Sequence, residues 1–122
     1  MDYNKVTTKM DPCIITNHYT STSQDAYDTS VCVLNTLKHD SCVIQVINND
    51  VNNAITYIIE TTFNGTNWNK IQDEKSVNAL NSDLAILKNY GSLTRVSVKS
   101  QVASSPAIYE IYTSLKPAAY IV

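Results

Sequence analysis

Glycine is nearly absent from this chain, with two residues in 122. Because glycine is the usual residue where a turn needs a positive φ angle, most turns here must be made by other residues. Asparagine and aspartate tolerate that conformation, and they cluster between apolar segments, as in residues 49–53 (NDVNN). No glycine-rich phosphate loop is present either, which argues against a nucleotide-binding site.

Charge is also scarce, since charged side chains make up 16% of the sequence and the net charge is −2. The nine lysines and arginines are spread along the chain and form no basic stripe, so we expect no nucleic-acid partner. Asparagine, serine and threonine supply the polarity instead. A weakly charged surface of this kind is common in domains that pack against copies of themselves or other proteins.

Long apolar segments are missing, because no run approaches the roughly 18 residues that a membrane helix needs. The first 20 residues are too polar for a secretory signal, so we expect no membrane partner and assembly in the cytoplasm. The cysteines are Cys13, Cys32 and Cys42, an odd number without CxxC spacing, which argues against a disulfide framework and a zinc cage. Cys32 and Cys42 lie in β-branched runs and are predicted to be small buried apolar residues.

Catalytic motifs are absent as well. The two histidines, His18 and His39, are not near a cysteine or an acid pair in any recognised motif, and neither HExxH nor GxSxG occurs. Asp73 and Glu74 are adjacent, which in a strand would place their carboxylates on opposite faces. Asp50 alone brings charge to the Asn-rich loop, which is weak for calcium. The sequence therefore predicts a protein that is not an enzyme and that holds no metal or cofactor.

What the sequence does contain is a series of short β-rich segments separated by polar turns. Residues 1–28 have no sustained period and are predicted to be an extended N-terminal arm, ordered against the domain or a neighbouring subunit, or else a floppy tail. Strands are predicted at 29–37, 41–48, 53–63, 67–72, 92–102 and 107–115, with a short edge strand at 117–122, whereas 73–91 is predicted to be a strand or loop followed by a short helical turn. This pattern predicts an all-β fold for residues 29–122, an antiparallel β-sandwich of jelly-roll or immunoglobulin-like type.

The segment FNGTNW, residues 63–68, follows the longest predicted strand. Asn64 and Gly65 are predicted to form a two-residue hairpin turn, closed by the aromatic pair of Phe63 and Trp68. Asn64 also begins a glycosylation sequon, which the polar N-terminus disfavours. Trp68 and Asn64 are candidate carbohydrate or partner contacts, although a lid on the sandwich is the favoured role of Trp68. Within the preceding strand Ile58 breaks the alternation, which predicts that part of the strand is covered on both faces.

Two of these segments carry a family resemblance. In the first segment a strand ends in an Asn-Gly-x-x-Trp hairpin, which is matched by Asn64, Gly65 and Trp68. In the second segment an aromatic residue is followed, after four residues, by the pattern Arg-Val-x-Val-Lys-Ser. The matching positions there are Tyr90, Arg95, Val96, Val98, Lys99 and Ser100. This pattern resembles small β-sandwich structural proteins of tailed-phage virions. The resemblance implies an auxiliary or decoration capsid protein, or a neck or tail component. Such a protein would be localised to the virion and would act as a homo-oligomer and through contacts with other virion proteins.

A second interpretation stays open from the same segments. The residue pattern of this hairpin is also similar to that of discoidin-like β-sandwich domains that bind carbohydrate or lipid. The alternative function is therefore a carbohydrate-binding β-sandwich module that recognises a receptor or host surface through Trp68 and nearby tyrosines.

Overall fold

The computed structural model describes residues 15–117, whose regular structure is entirely β-strand. The strands are β1 (Ile15–Thr22), β2 (Asp28–Asn35), β3 (His39–Asn48), β4 (Ile55–Thr62), β5 (Asn69–Lys70), β6 (Lys75–Val77), β7 (Ser82–Leu87), β8 (Leu93–Ser100) and β9 (Ile108–Pro117). The first sheet has the order β1-β9-β3-β7, and the second has the order β2-β8-β4-β5 with β6 also paired to β4. All pairs are antiparallel, so the predicted β-sandwich is confirmed.

The core forms between the two sheets because successive side chains of a strand point to opposite faces. In β3, Cys42, Ile44 and Val46 are fully buried, whereas the residues between them are partly exposed. The strands β4, β8 and β9 contribute further buried residues, namely Ile55, Tyr57, Ile59, Val96, Val98, Tyr109, Ile111 and Leu115. Cys32 and Cys42 both belong to this core, as predicted from their β-branched neighbours.

Polar contacts also join the two sheets, and one of them involves a buried tyrosine. The hydroxyl of Tyr57 in β4 donates a hydrogen bond of 2.5 Å to the Oδ2 atom of Asp83 in β7. Burial, followed by the hydrogen bond to Asp83 and its charge, raises the pKa of Tyr57 above its ordinary value of 10.0. The phenol therefore stays protonated and satisfies a carboxylate that points inward from the first sheet.

The predicted N-terminal arm differs from the structure in its boundary. Residues 15–22 form β1, which pairs with β9 over its whole length from Ile15 opposite Leu115 to Thr22 opposite Ile108. Tyr19 of β1 also packs against the core cluster. This part of the chain is therefore an edge strand of the sandwich, because threonine, serine and tyrosine suit a half-buried strand even without a strong apolar period. Residues 1–14 of the predicted arm and residues 118–122 of the predicted last strand lie outside the described residues.

The helical turn predicted within residues 73–91 is wrong. This segment contains β6 and β7, joined by a turn in which Leu80 has a φ of 63°. The apolar spacing looked helical because Val77 and Leu87 face the core while Leu84 is 56% exposed on the opposite side of the sheet. Because apolar residues lie on both faces of two short strands, their spacing along the sequence resembles that of a helix.

Candidate functional site

The outer face of the second sheet is covered by side chains of the chain itself. The guanidinium of Arg95 lies 4.1 Å from the ring centroid of Trp68 and is bonded through Nε to Glu60 at 2.9 Å. The ammonium of Lys99 lies 4.9 Å from the ring centroid of Tyr27. Between these two cations along β8, Ser97 has no exposed surface. A layer of aromatic and charged side chains therefore covers the β8 and β4 part of this face, whereas Val33 of β2 on the same face is 46% exposed.

The same layer explains the break in the alternation of β4. Ile58 pairs with Ser97 on the outer face, and it is buried although it points away from the core. The prediction that part of this strand is covered on both faces is therefore confirmed. The covering residues come from the turn before β2 and from the loop between β4 and β5.

The outer face of the first sheet has no such layer among the described residues. Its apolar side chains include Leu84 and Ile86 of β7, which are 56% and 63% exposed, and Ile108 of β9, which is 55% exposed. We call this surface the exposed sheet face and define it by His18, Val43, Gln45, Ile47, Leu84, Ile86, Ile108, Glu110 and Tyr112. The register places Val43 beside Ile86, whereas Gln45 lies between Leu84 and Tyr112 and Ile47 lies beside Glu110, so apolar and polar side chains are interspersed across β7, β3 and β9.

A polar cluster occupies one side of the exposed sheet face. The rings of His18 and Tyr112 are stacked, with centroids 4.2 Å apart and an interplanar angle of 10°. His18 Nε2 lies 2.7 Å from Glu110 Oε1, and the side chain of Asn49 donates to Glu110 Oε2. The hydrogen bond from Asn49, followed by that from His18, lowers the pKa of Glu110. The carboxylate, which is the one acidic group of this face, is thus held by its neighbours.

The predicted hairpin turn at Asn64 and Gly65 takes a different form. The chain between β4 and β5 is a loop of residues 63–68, and in it only Gly65 has a positive φ, at 81°. The Oδ1 atom of Asn64 accepts hydrogen bonds from the backbone N–H groups of Thr66 and Asn67 at 2.8 and 2.9 Å. The prediction of a two-residue turn is therefore wrong. Asn64 closes the loop through hydrogen bonds of its side chain and does not adopt a positive φ.

The aromatic residues at the two ends of this loop have separate positions. Trp68 stacks on Arg95, whereas Phe63 is 80% exposed. The structure thus places Trp68 over the second sheet, and it places the carbonyl oxygen of the Asn64 side chain inside the loop. Of the two candidate carbohydrate contacts, Trp68 thus has one face covered by Arg95, and Asn64 has its Oδ1 atom bonded to the loop backbone.

Nucleophilic chemistry finds no support at the described cysteines. Cys32 and Cys42 are unpaired and fully buried, and burial raises their pKa values to about 12 and about 11. Within residues 15–117, no three histidine, cysteine or acidic side chains come together as metal ligands would. The described part of the chain also has no helix long and apolar enough to cross a membrane.

Sequence reasoning missed the exposed sheet face. The signal was available in the consecutive apolar residues of β7, from Leu84 to Leu87, and in the apolar neighbours of buried residues in β3 and β9. Strands that are apolar on both faces are typical of sheets covered on both sides. The predicted single core accounted for only one of those faces.

The described residues form a β-sandwich in which the outer face of the second sheet is covered in part and that of the first sheet is open. No family model matches the chain, and no curated protein matches its sequence. Among solved structures, it is similar to PirA, with a TM-score of 0.60 and 12% identity over 79% of this chain and 92% of that chain.

Two further structures are similar over most of their length. One is a Bacillus endospore appendage protein, described as forming a family of disulfide-linked pili, with a TM-score of 0.54 and 8% identity over 86% of this chain and 89% of that chain. The other is the Yersinia pseudotuberculosis-derived mitogen, with a TM-score of 0.54 and 13% identity over 88% and 90%. At these identities the likeness shows the sandwich fold alone.

Proposed function

We propose that this protein is a non-enzymatic structural subunit that assembles with copies of itself through the exposed sheet face. The observation that carries the proposal is the contrast between the two outer faces. The second sheet buries Ile58 and Ser97 under side chains of its own chain, whereas the first sheet leaves Leu84, Ile86 and Ile108 largely in water. Adjoining apolar residues on an open sheet mark a surface that binds another protein.

The size of the face fits a weak but specific interface. Four strands about 4.8 Å apart, each about eight residues long at about 3.3 Å per residue, span roughly 19 by 26 Å, or about 500 Å². Two copies would bury about 1,000 Å² in total, which is near the lower bound for specific protein interfaces. We therefore expect association that depends on protein concentration.

A second copy is the occupant that suits this face. Glu110 is its one acidic group and is already bonded to His18 and Asn49, so two such faces bring few like charges together. The net charge of −2 adds little long-range repulsion between chains. An apolar, weakly charged face is complementary to itself, as two-fold symmetric dimers require.

The setting that we propose is a bacteriophage virion, which rests on the resemblance in the hairpin and in β8. The neighbours named above are not described as virion proteins. One of them is described as forming pili, and a sandwich of this general fold can therefore serve as a repeating unit. The carbohydrate-binding alternative has less support at its predicted residues, because Arg95 occupies one face of Trp68 and the loop backbone occupies the oxygen of Asn64.

Sedimentation velocity over a wide range of protein concentration tests self-association. We expect the native protein to associate and Ile86→Glu to remain monomeric, because a carboxylate in a dry sheet interface is costly to desolvate. Val102→Glu is the matched control, since Val102 is 64% exposed but lies in the turn before β9. A native protein that stays monomeric throughout, or equal effects of both variants, would overturn the proposed interface.

The virion setting has its own test. We expect mass spectrometry of purified phage particles to find this chain at a fixed stoichiometry relative to the major capsid protein. Its absence from intact particles would remove the virion setting, while the sedimentation result would still decide self-association.

A further inference from the structure

The strand β7 lies at the edge of the first sheet, and no strand lies beside its outer edge among the described residues. The sheet order β1-β9-β3-β7 gives β7 one neighbour, β3. An edge strand presents a row of backbone N–H and C=O groups that a further strand can pair with. The edge of β7 is therefore a candidate interaction surface, distinct from the exposed sheet face, which is made of side chains.

The hydrogen bonds of the β3–β7 ladder show which backbone groups point outward. The N–H of Asn48 donates to the backbone oxygen of Asn81 at 2.9 Å, in the same register as the rest of the two strands. Because hydrogen-bonded pairs alternate along an antiparallel ladder, the odd-numbered residues of β7 bond to β3. The β3–β9 ladder uses the odd-numbered residues of β3, as this alternation requires. The backbone groups of Ser82, Leu84 and Ile86 therefore point away from the sheet.

Two of these outward-pointing residues also carry exposed apolar side chains. Leu84 is 56% exposed and Ile86 is 63% exposed, whereas Ala85 between them is buried. A strand added at this edge would therefore gain backbone hydrogen bonds from the same residues whose side chains it covers. Backbone bonds of this kind contribute affinity, and the alternate side chains contribute specificity.

The other edges of the sandwich are less suited to pairing. The edge strand β2 has an irregular register between Asp28 and Cys32, and β5 and β6 are two and three residues long. Bulges and very short strands are features that protect a sheet edge from pairing. The edge strand β1 is regular but consists mostly of threonine, serine and other polar residues. Among the described strands, β7 is thus the edge that combines a regular backbone with apolar side chains.

A second copy of β7 fits this edge best in one register. Antiparallel pairing about a two-fold axis can place Leu84 opposite Ile86 of the second copy, and Ile86 opposite Leu84 of the second copy. Both residues then lie on the same outer face, and both direct their backbone groups to the partner strand. Shifting the register by two residues would instead set Ile86 opposite Ser82, or Leu84 opposite Lys88. Apolar cross-strand pairs stabilise an antiparallel ladder, so the first register is favoured.

We propose that β7 pairs with β7 of a second copy across a two-fold axis, with Leu84 opposite Ile86 in both halves of the interface. The pairing joins two four-stranded sheets into one sheet of eight strands and doubles the exposed sheet face. It is a second interface, because it does not require that face to pack against another copy. Pairing of β7 with β1 would instead join copies head to tail and give an open filament. That arrangement sets the apolar residues of β7 against polar ones.

Disulfide trapping tests the register. Opposite Cα atoms of a hydrogen-bonded antiparallel pair lie about 5.5 Å apart, within the roughly 4.4–6.8 Å that a disulfide spans. Leu84→Cys protein and ¹⁵N-labelled Ile86→Cys protein, both carrying Cys13→Ser, are mixed at high concentration and oxidised, and the products are identified by mass spectrometry. We expect the mixed dimer to exceed either homodimer by about tenfold, the effect of keeping apolar pairs in register. Val102→Cys, with a 64% exposed native residue in the turn before β9, should give no dimer.

A proline substitution tests the backbone hydrogen bonds separately from the side chain. Leu84→Pro and Leu84→Ala both remove the leucine side chain, but only proline also removes the outward N–H. Because that N–H is not bonded to β3, Leu84→Pro should keep the β-sheet signal in circular dichroism. We expect sedimentation velocity to show association at least about tenfold weaker in Leu84→Pro than in Leu84→Ala, since each copy loses one hydrogen bond.

Three results would overturn the proposed pairing: homodimers as abundant as the mixed dimer, no disulfide dimer at all, or equal association of Leu84→Pro and Leu84→Ala. A larger yield of disulfide between Leu84→Cys and His18→Cys proteins would also contradict it, because it would show head-to-tail pairing with β1. Association that the two Leu84 variants weaken equally would still agree with packing through the exposed sheet face. Failure of the strand pairing and failure of that interface are therefore distinguishable.

Discussion

Replacing Tyr57 with phenylalanine removes one polar link between the two sheets while keeping the buried ring. Tyr57 is almost fully buried, and its hydroxyl donates to the carboxylate of Asp83 at 2.5 Å. A hydrogen bond to a charged group contributes about 1.5–3 kcal/mol, and its loss leaves a partly buried carboxylate without that donor. We therefore expect Tyr57→Phe to lower the free energy of unfolding by about 2 kcal/mol, or to lower Tm by roughly 8 °C.

Urea unfolding followed by circular dichroism measures this change. The control is Tyr112→Phe, whose hydroxyl is partly exposed and lies 3.5 Å from Glu110, and its effect should stay within about 0.5 kcal/mol. A double-mutant cycle of Tyr57→Phe with Asp83→Ala should show a coupling energy of about 1–2 kcal/mol. Equal effects of the two tyrosine variants, or additive effects in the cycle, would refute the proposed link.

Alkaline pH tests the same contact through proton linkage. The pKa of Tyr57 is raised in the folded protein, first by burial and then by Asp83, above the ordinary value of 10.0 that holds when the chain is unfolded. Above about pH 10 the unfolded state loses this proton while the folded state keeps it, so the unfolded state binds fewer protons and stability falls as pH rises. Urea unfolding between pH 8 and 11 should show this fall, and it should be shallower in Tyr57→Phe. An identical pH dependence in the two proteins would contradict the assignment.

Further predictions concern the loop before β8 and the core thiols. Gly91→Ala should cost about 2–4 kcal/mol by urea unfolding, because its Cβ would overlap the backbone of β4. Gly65→Ala, whose Cβ meets open space, should cost only the roughly 1–2 kcal/mol of a positive φ, and a reversed order would contradict the close approach at Gly91. Cys32 and Cys42 should react with a thiol reagent at pH 8 at least about 100-fold more slowly in the folded than in the urea-unfolded protein, since burial raises both pKa values. Two fast-reacting core thiols would show that the sandwich opens readily.

Much of the sandwich could be predicted because its strands keep the period of two. Residues 93–100 illustrate this point, since Thr94, Val96 and Val98 face the core while Arg95 and Lys99 face outward, as the alternation indicates. The burial of Cys32 and Cys42 was predictable for the same reason. The local sequence pattern determines which face of a strand is apolar, and these apolar faces pack together to form the core.

The strands that escaped prediction lack a clean alternation. β1 is mostly threonine, serine and other polar residues, and it is recognisable as a strand only through its pairing with β9. β7 is apolar at four consecutive positions, because Leu84 and Ile86 lie on the open face while Ala85 and Leu87 lie in the core. Pairing between distant segments and the presence of a second apolar face are tertiary properties that a local window does not contain.

The candidate sites, like the strands, could be predicted from the sequence only in part. The loop of residues 63–68 was located from the Asn-Gly dipeptide, but the side-chain capping by Asn64 and the stacking of Trp68 on Arg95 depend on contacts made after folding. Phe63 was expected to pair with Trp68, yet it is largely exposed. Sequence thus identified the loop, and only the fold shows which surfaces its aromatic residues reach.

Site-specific photo-crosslinking tests the central claim most directly. A photoreactive phenylalanine analogue at position 86 of β7 should give a covalent dimer on irradiation, with the crosslink mapped by mass spectrometry to β7, β3 or β9 of the second copy. The same analogue at position 102, in the turn before β9, should give none. No dimer from position 86, or crosslinks mapped outside the exposed sheet face, would contradict assembly through that surface.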